Sequence, residues 1–323
     1  LPRPLAISGP GRGLGARLLL VQSNGGVCSP AVASREPVRL LLSGPSGGAL
    51  ATARAAARLG TPNLVGIDMG GTSFDICVVR DGAVTQKTEG EINGLPVRLP
   101  MIEIRTVGSG GGSIAAVDGG GRLTVGPRSA GARPGPVCYG RGGTLPTVTD
   151  ANLALGRLDP DFFLGGAHAL DLAGARAALN EHVARPLGLG VDAACEGLIR
   201  LTDASLAAAT RLSLFEKGLD PRDFALLSFG GAGGLHAIPV AEELGIGRVV
   251  FPPEASTFSA GGILRSDIAH DLAASRVMRA GPAILPDLAR TLAALREDGA
   301  RLLDLDGVPP DRRELAVSVD LRY

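Results

Sequence analysis

Lysine is almost missing from this chain of 323 residues: Lys87 and Lys217 are the only two, and no GxxxxGK[ST] run occurs. A P-loop needs that lysine beside glycine-bound phosphates, and both it and a dinucleotide-binding loop run from strand through glycines into a helix, so both lose ground to the strand–turn–strand pattern described below. Cys28, Cys77, Cys138 and Cys195 stand far apart with no CxxC pair, and His168, His182, His236 and His270 are equally dispersed, with no HExxH. The first absence argues against a zinc knuckle and, at this length, against a disulfide framework. The second removes a metal site built from local motif ligands alone. The cysteines are read as reduced thiols. Net charge is also missing, because 32 acidic residues balance 32 basic ones, nearly all of them arginines scattered singly. Such a distribution carries no electrostatic footprint for nucleic acid or an anionic membrane. Apolar runs break at Gly, Pro or a charge well before the roughly 20 residues of a membrane span. No signal-peptide pattern opens the chain. The expectation is a soluble cytoplasmic protein that binds neither nucleic acid nor membrane.

What the chain has in excess is glycine, 48 residues without a collagen-like period, against a usual share of about 7%. With 45% hydrophobic side chains a sizeable core can form, so the glycines are read as turns and close backbone approaches around a ligand. The chain lacks an initial methionine, and Leu315 to Tyr323 alternate like a strand still being written. A fragment of a longer protein is expected.

Residues 1–20 read as an irregular tail rich in Pro, Gly and Arg, although Leu18–Val21 already forms a short apolar run that ends in the turn Ser23-Asn24-Gly25-Gly26. Ser43 as N-cap, Pro45 in the first turn and Gly60 as C-cap predict a helix over 45–59. Asn63–Met69 and Asp75–Arg80 read as strands joined by the tight turn Gly70-Gly71-Thr72-Ser73, with Asp81-Gly82 turning again. Residues 98–146 read as hairpins and functional loops. Helical patterns follow near 171–184 and 193–216, then strand Phe224–Phe229, a glycine turn, helix 235–244 and strand Arg248–Phe251. Leu285, Leu288, Leu292 and Leu295 lie on one face of an amphipathic helix.

The segment Asp68-Met69-Gly70-Gly71-Thr72-Ser73-Phe74-Asp75 places two carboxylates at the ends of adjacent strands, with bare amides between them. Amides can cradle phosphate oxygens only where no side chain blocks approach, which is what Gly70 and Gly71 supply. The Thr72 hydroxyl and Ser73 add donors, and Asp68 or Asp75 can hold hydrated Mg²⁺, which keeps most of its waters and accepts one or two carboxylates. The bland reading is a hairpin whose Gly-Gly turn is merely tight. A second turn, Gly230-Gly231-Ala232-Gly233-Gly234, leads from a strand into a helix. Here backbone can pass under an adenine or ribose and a helix N-terminus can meet phosphate, or the glycines only permit close helix–sheet packing. Gly108–Ser113 is read as either an oxyanion nest or a hairpin loop. His236 either bonds nucleotide or caps its helix, and Asp150 and Asn152 mark a helix start with Asp150 as cap. Cys138 is read as packed rather than nucleophilic.

Together these motifs resemble the hydantoinase A and 5-oxoprolinase family. Asp68–Asp75, Gly126–Gly140 (GPRSAGARPGPVCYG) and Thr147–Asn152 (TVTDAN) carry the resemblance, with Ser43-Gly44-Pro45, Gly230–His236 and Ser259-Ala260-Gly261-Gly262 in the family's order. Phe74 and Gly234 depart from it, where a small polar residue and proline are usual. The resemblance implies an α/β protein of the actin-like ATPase (ribonuclease-H-like) fold, a mixed sheet with hairpins and flanking helices, its first lobe incomplete because that lobe's phosphate motif should precede residue 1. It implies a hydantoinase A-type nucleotide-binding domain over 21–275, and a helix and strand over 276–323 leading into a truncated C-terminal domain. Asp68–Asp75 would be the phosphate motif, with Asp68 and Asp75 catalytic and on Mg²⁺, and Gly230, Gly231, Gly233 and Gly234 the adenosine motif, binding ATP. The implied reaction opens a cyclic amide of the hydantoin or 5-oxoproline type by phosphorylating its carbonyl, with a hydantoinase B-type subunit or region, in an oligomer. Two rivals stay open: an ATP-binding subunit of a ketone carboxylase of the acetone or acetophenone type, and a non-catalytic nucleotide- or partner-binding module.

Overall fold

A computed structural model describes residues 17–41, 43–92, 95–277, 279 and 281–319, so most of the expected N-terminal tail lies outside the described residues. The chain forms two compact units, one from residues 48–85 and 103–262 and one from the flanking segments with 86–102.

In the larger unit, helix α1 (Ser46–Leu59) precedes strands β1 (Leu64–Met69), β2 (Phe74–Arg80), β3 (Ala83–Val84), β4 (Ile104–Val107), β5 (Ser113–Val117) and β6 (Leu123–Ser129). Helices α2 (Val148–Ala154), α3 (Leu172–Leu179) and α4 (Val191–Phe215) follow, then β7 (Ala225–Phe229), α5 (Ala237–Leu244), β8 (Val249–Val250) and α6 (Phe258–Leu264). The central sheet runs β4-β2-β1-β7-β8, with β3 added to β2. Its first three strands are antiparallel, and β1, β7 and β8 are parallel.

Every residue of β1 but Asp68 is buried, the mark of a strand covered on both faces. Side chains alternate across the sheet. Val65, Ile67 and Met69, with Phe74, Ile76 and Val78 of β2, pack against Leu206 and Leu214 of α4 and Val240 and Leu244 of α5. Leu64, Val79, Leu227 and Phe229 cover the other face with Ala55 and Ala56 of α1 and Phe258 of α6. Gly66 is what lets α1 approach, since a Cβ there would lie 2.5 Å from Thr52 Oγ1 and 2.6 Å from Cys77 Sγ. A second core joins Ala115 of β5, Val148 and Ala151 of α2, Leu179 of α3, and Cys195, Leu198 and Ile199 of α4. The 25-residue helix α4 therefore serves both cores, its first half one and its second half the other.

Several local expectations hold. Gly60 has φ +61; its amide bonds Ala57 O while the Thr61 amide reaches Ala56 O, the paired bonds of a Schellman end. Asp81 and Gly82 both have positive φ, as the two-residue turn between β2 and β3 requires. The helix expected over 171–184 is α3 followed by a π-helical stretch, Asn180–Ala184. Two expectations are corrected. Thr147, not Asp150, caps α2, and Asp150 sits three residues inside as the returning half of a capping box. No strand forms over the described residues at 315–319, because among the described residues no neighbouring strand pairs with them.

In the smaller unit Leu20–Val21 pairs with Val27–Cys28, and Gln86–Lys87 with Met101–Ile102. Cys28, Val32 and Ala33 pack with Leu20, Leu40 and Leu302. Helix Leu285–Leu305 buries Gly299 and Leu303, whereas Leu285 is 60% exposed. The covered stripe thus lies nearer the helix C-terminus than the leucine spacing suggests. No helix among the described residues is long and apolar enough to cross a membrane.

Candidate functional site

The antiparallel register sets Asp68 of β1 opposite Asp75 of β2, with Met69 opposite Phe74 and the turn Gly70–Ser73 closing the pair. Both carboxylates are half-buried. Asp68 accepts from Ser259 Oγ at 3.2 Å, and Asp75 from Thr106 Oγ1 at 2.5 Å on β4. Burial pushes the pKa of Asp68 up, against the Ser259 hydroxyl, and the charge of Asp75 adds to the rise. Burial likewise raises Asp75, with the Thr106 and Ser73 hydroxyls opposing it. Loss of hydration disfavours both charged forms, so a cation placed between the two carboxylates would be held more firmly than by exposed ones.

The turn is built to keep its outer side bare. A Cβ at Gly70 or Gly71 would meet nothing within 4 Å, so packing does not demand glycine at either position. The Gly70 amide is not available to a ligand: it donates to Ser73 O at 3.1 Å. The amides of Gly71, Thr72 and Ser73 have no acceptor among the described residues, and Gly71 and Thr72 are exposed. Three successive N–H groups without acceptors form the kind of concavity that takes phosphate oxygens.

The second glycine turn lies against the first. Phe229 of β7 pairs in parallel with Asp68, and the Ala232 amide donates to Met69 O at 2.9 Å. Gly230 has φ +82, and a Cβ there would sit 2.3 Å from Asp68 Oδ1 and 2.6 Å from Met69 O. Only glycine satisfies both conditions. Gly233 is also packed, 2.8 Å from Ser228 Oγ by the same construction, whereas Gly231 and Gly234 face open space. The four glycines divide into two that fit the turn onto Asp68 and Ser228 and two that leave room.

A third glycine run, Gly110–Gly112, braces the phosphate-type turn from behind. Gly111 N donates to Gly70 O at 3.0 Å and Gly112 N to Gly71 O at 2.7 Å. A Cβ on Gly110 would meet Gly71 C at 2.6 Å. Of the two readings of Gly108–Ser113, this is neither a free nest nor a loose hairpin loop but a bracket. Thr149 anchors it in turn, donating from N and Oγ1 to Gly111 O at 2.7 and 2.8 Å.

His236 stands at the N-cap position of α5, but its side chain makes no capping bond and turns inward instead. Its ring is buried, with Nδ1 2.6 Å from Asp203 Oδ1 on α4 and Nε2 3.3 Å from Asn152 Nδ2 on α2. Asp150 is taken up by the amides of Val137, Cys138 and Thr147 and by the Thr147 hydroxyl. All four cysteines are free and buried. Burial, reinforced by Asp150, pushes the Cys138 thiol far up, which suits packing and not nucleophilic attack. Sequence reasoning assigned no role to Thr106, Ser259 or Thr149. Ser259 was visible only as part of the Ser259-Ala260-Gly261-Gly262 run that carries the family resemblance, and Thr106 carried no local signal.

A family model for hydantoinase/oxoprolinase matches residues 8–272. Caprolactamase subunit alpha of Pseudomonas jessenii is 43% identical over 305 residues, covering 94% of this chain and 44% of that protein. The crystal structure of ATP-dependent caprolactamase from Pseudomonas jessenii superposes with TM-score 0.74 at 41% identity, over 90% of this chain and 42% of that one. A nucleotide-free acetone carboxylase structure, described as ATP-dependent, superposes with TM-score 0.78 at 32% identity, over 92% of this chain and 43% of that one. The chain spans less than half the length of these relatives. It belongs to the hydantoinase/oxoprolinase family.

Proposed function

We propose that this chain supplies the phosphate-binding half of an ATP-dependent enzyme that opens a cyclic amide. The observation that carries the reading is the turn Gly71–Ser73, three amides without acceptors among the described residues, between two cross-strand carboxylates. The likeness to an ATP-dependent caprolactamase supports it.

In chain order the strands of the main path run 3-2-1-4-5, the first three antiparallel and the last two parallel. That arrangement supports an actin-like ATPase lobe of the ribonuclease-H type. In this reading residues 21–275 are the nucleotide-binding domain, and the lobe that would complete the cleft belongs to the rest of the protein.

Gly71, Thr72 and Ser73 hold phosphate oxygens of ATP, and the open faces of Gly231 and Gly234 admit the nucleoside. Asp68 and Asp75 fit a magnesium ion: they are the two acidic groups at the turn, and among the described residues no larger cluster of metal-binding side chains competes. Magnesium bound there would neutralise phosphate charge and leave most of its coordination to water and phosphate oxygens. The γ-phosphoryl group passes to the amide carbonyl oxygen and ADP leaves; one water adds at that carbon, the ring C–N bond breaks with the nitrogen taking a proton, and a second water cleaves the resulting acyl phosphate to carboxylate and phosphate. This chain's part is to position and neutralise, which is where phosphoryl-transfer enzymes gain most of their rate. A B-type subunit or region would take the later hydrolytic step.

The acetone carboxylase likeness favours one second reading, the same clamp activating a ketone or bicarbonate for carboxylation, since phosphate geometry is common to both reactions. The test is calorimetric titration with Mg-ATP and Mg-GTP, followed by ATP-dependent ring opening of 5-oxoproline and caprolactam in the full-length protein with its partner subunit. Selective ATP binding with ring opening supports the proposal. Turnover only with ketone and bicarbonate would replace it with the second reading, and no ATP binding at all would sink both.

A further inference from the structure

The glycine-rich segment between β6 and α2 has no role in the nucleotide reading, yet it is one of the most tightly specified parts of the larger unit. We infer that it builds an oxyanion subsite, with the guanidinium groups of Arg133 and Arg141 as its ligands. The inference rests on the proposed function for the identity of the reaction it serves.

Arg133 and Arg141, both exposed, line one open cavity of about 530 Å³. Among the described residues neither has a carboxylate within ion-pair reach. The carboxylate built into this segment, Asp150, is fully buried and spent on Val137 N, Cys138 N and Thr147. Two like charges on one cavity repel, and bringing in an anion is what relieves them. Arginine is the cation suited to the task, because its planar fork matches carboxylate and phosphate oxygens.

The backbone that carries the two arginines is closely fitted. Gly143 lies against the turn after Arg133: a Cβ there would be 2.3 Å from Gly135 O. Gly135 has φ +83, and a Cβ on it would press the Tyr139 ring at 3.1 Å. Arg141 in turn lies over that ring, its Cζ 5.6 Å from the centroid, and Tyr139 is backed by Phe163 and His168. Each contact removes conformational freedom before any ligand arrives, which lowers the cost of binding.

A ladder of backbone bonds ties this segment to the phosphate turn. Gly112 N donates to Gly71 O at 2.7 Å, Ala130 N to Gly112 O at 2.8 Å and Gly135 N to Ala130 O at 3.2 Å. The arm bearing Arg133 is thus three hydrogen bonds from Gly71. A carboxylate on the cyclic amide and a phosphate released from ATP are the two anions that the proposed reaction supplies, and they share the oxyanion chemistry that arginines recognise.

The experiment titrates the full-length protein with 5-oxoprolinate, with its uncharged ring analogue 2-pyrrolidone, and with inorganic phosphate, in wild type, R133Q/R141Q and R133K/R141K. Circular dichroism and thermal melting accompany each variant. We expect one of the two anions to bind, 2-pyrrolidone to bind at least about tenfold more weakly, and the glutamine pair to lose about tenfold or more of the anion affinity. The lysine pair should recover part of that loss, which a general folding defect would not permit. Dependence for 5-oxoprolinate makes the ligand the substrate carboxylate, and dependence for phosphate alone makes it the phosphate. Binding of both anions unchanged in a folded glutamine pair, or no anion binding in wild type, overturns the inference. Mg-ATP titration of the same samples reads the nucleotide assignment separately: ATP binding fails with Asp68→Ala if that reading is right, while anion binding at the arginines persists.

Discussion

Asp68 and Asp75 are cross-strand partners in the register of β1 and β2, each drawn to a hydroxyl from another element, Ser259 on α6 and Thr106 on β4. A like-charged pair directly opposite in an antiparallel sheet is unfavourable in itself. The fold tolerates it at the edge of the bare turn, where a ligand's cation can change its sign from cost to benefit.

Asp68→Ala and Asp75→Ala should each lower ATP-dependent turnover by about 10²–10³, the scale for losing one charge-stabilising group in a transition state. Neither residue is fully buried, so the variants should remain folded. Turnover assays beside thermal melts separate the two effects, and unchanged turnover in both variants would remove these residues from the site.

Without nucleotide or divalent cation, Asp68→Asn should stabilise the protein at neutral pH. The pKa of Asp68 is raised above its ordinary 3.8, first by burial, so the wild type carries a penalty that develops as pH rises through the interval between that value and the raised one. Below the ordinary value both folded and unfolded forms are protonated and the penalty vanishes. Melting curves from pH 3 to 8 should therefore converge at the acid end and separate toward neutrality.

Glycine substitutions should sort by function. Gly71→Ala adds a Cβ into open space, so stability should stay within about 0.5 kcal/mol while nucleotide affinity falls. Gly230→Ala combines φ +82 with a Cβ 2.3 Å from Asp68 Oδ1; the backbone term alone costs about 1–2 kcal/mol. Urea unfolding should separate the two variants, Gly71→Ala losing ATP affinity at near-constant stability and Gly230→Ala losing stability as well.

His236→Leu should cost about 1–3 kcal/mol, because it leaves the buried side chain of Asp203 without its hydrogen-bond donor. The pair D203N with His236 intact should lose less, since asparagine still accepts from Nδ1 at the 2.6 Å contact. Denaturant midpoints measure the difference.

The β1–β2 hairpin was legible because its apolar run, its Gly-Gly turn and its flanking carboxylates are all local signals. The Schellman end at Gly60 and the Asp81-Gly82 turn were read for the same reason. What could not be read is contact across long separations. Ser259 reaches Asp68 from 191 residues away, and no local pattern says that Gly230 is shaped by Asp68. Gly110–Gly112 looked like a loop because the surface it fits is the carbonyl side of another turn. Asp150 was placed one role away from its own, since a capping box and a bare cap share their composition and differ only in which residue has extended backbone. His236 stood next to a ligand-type turn in sequence, yet the helix after that turn carries its ring inward to α4.

Helix α4 threads two hydrophobic centres with one unbroken rod. Neither centre can melt without pulling on a shared spine, so the larger unit should lose its structure in a single step, and a protease cut between the glycine turns and the arginine-bearing segment should release no folded half. Evolution of one end is thereby constrained by the other: a substitution tolerated under the sheet has to leave the rod straight enough to serve the helices beyond it.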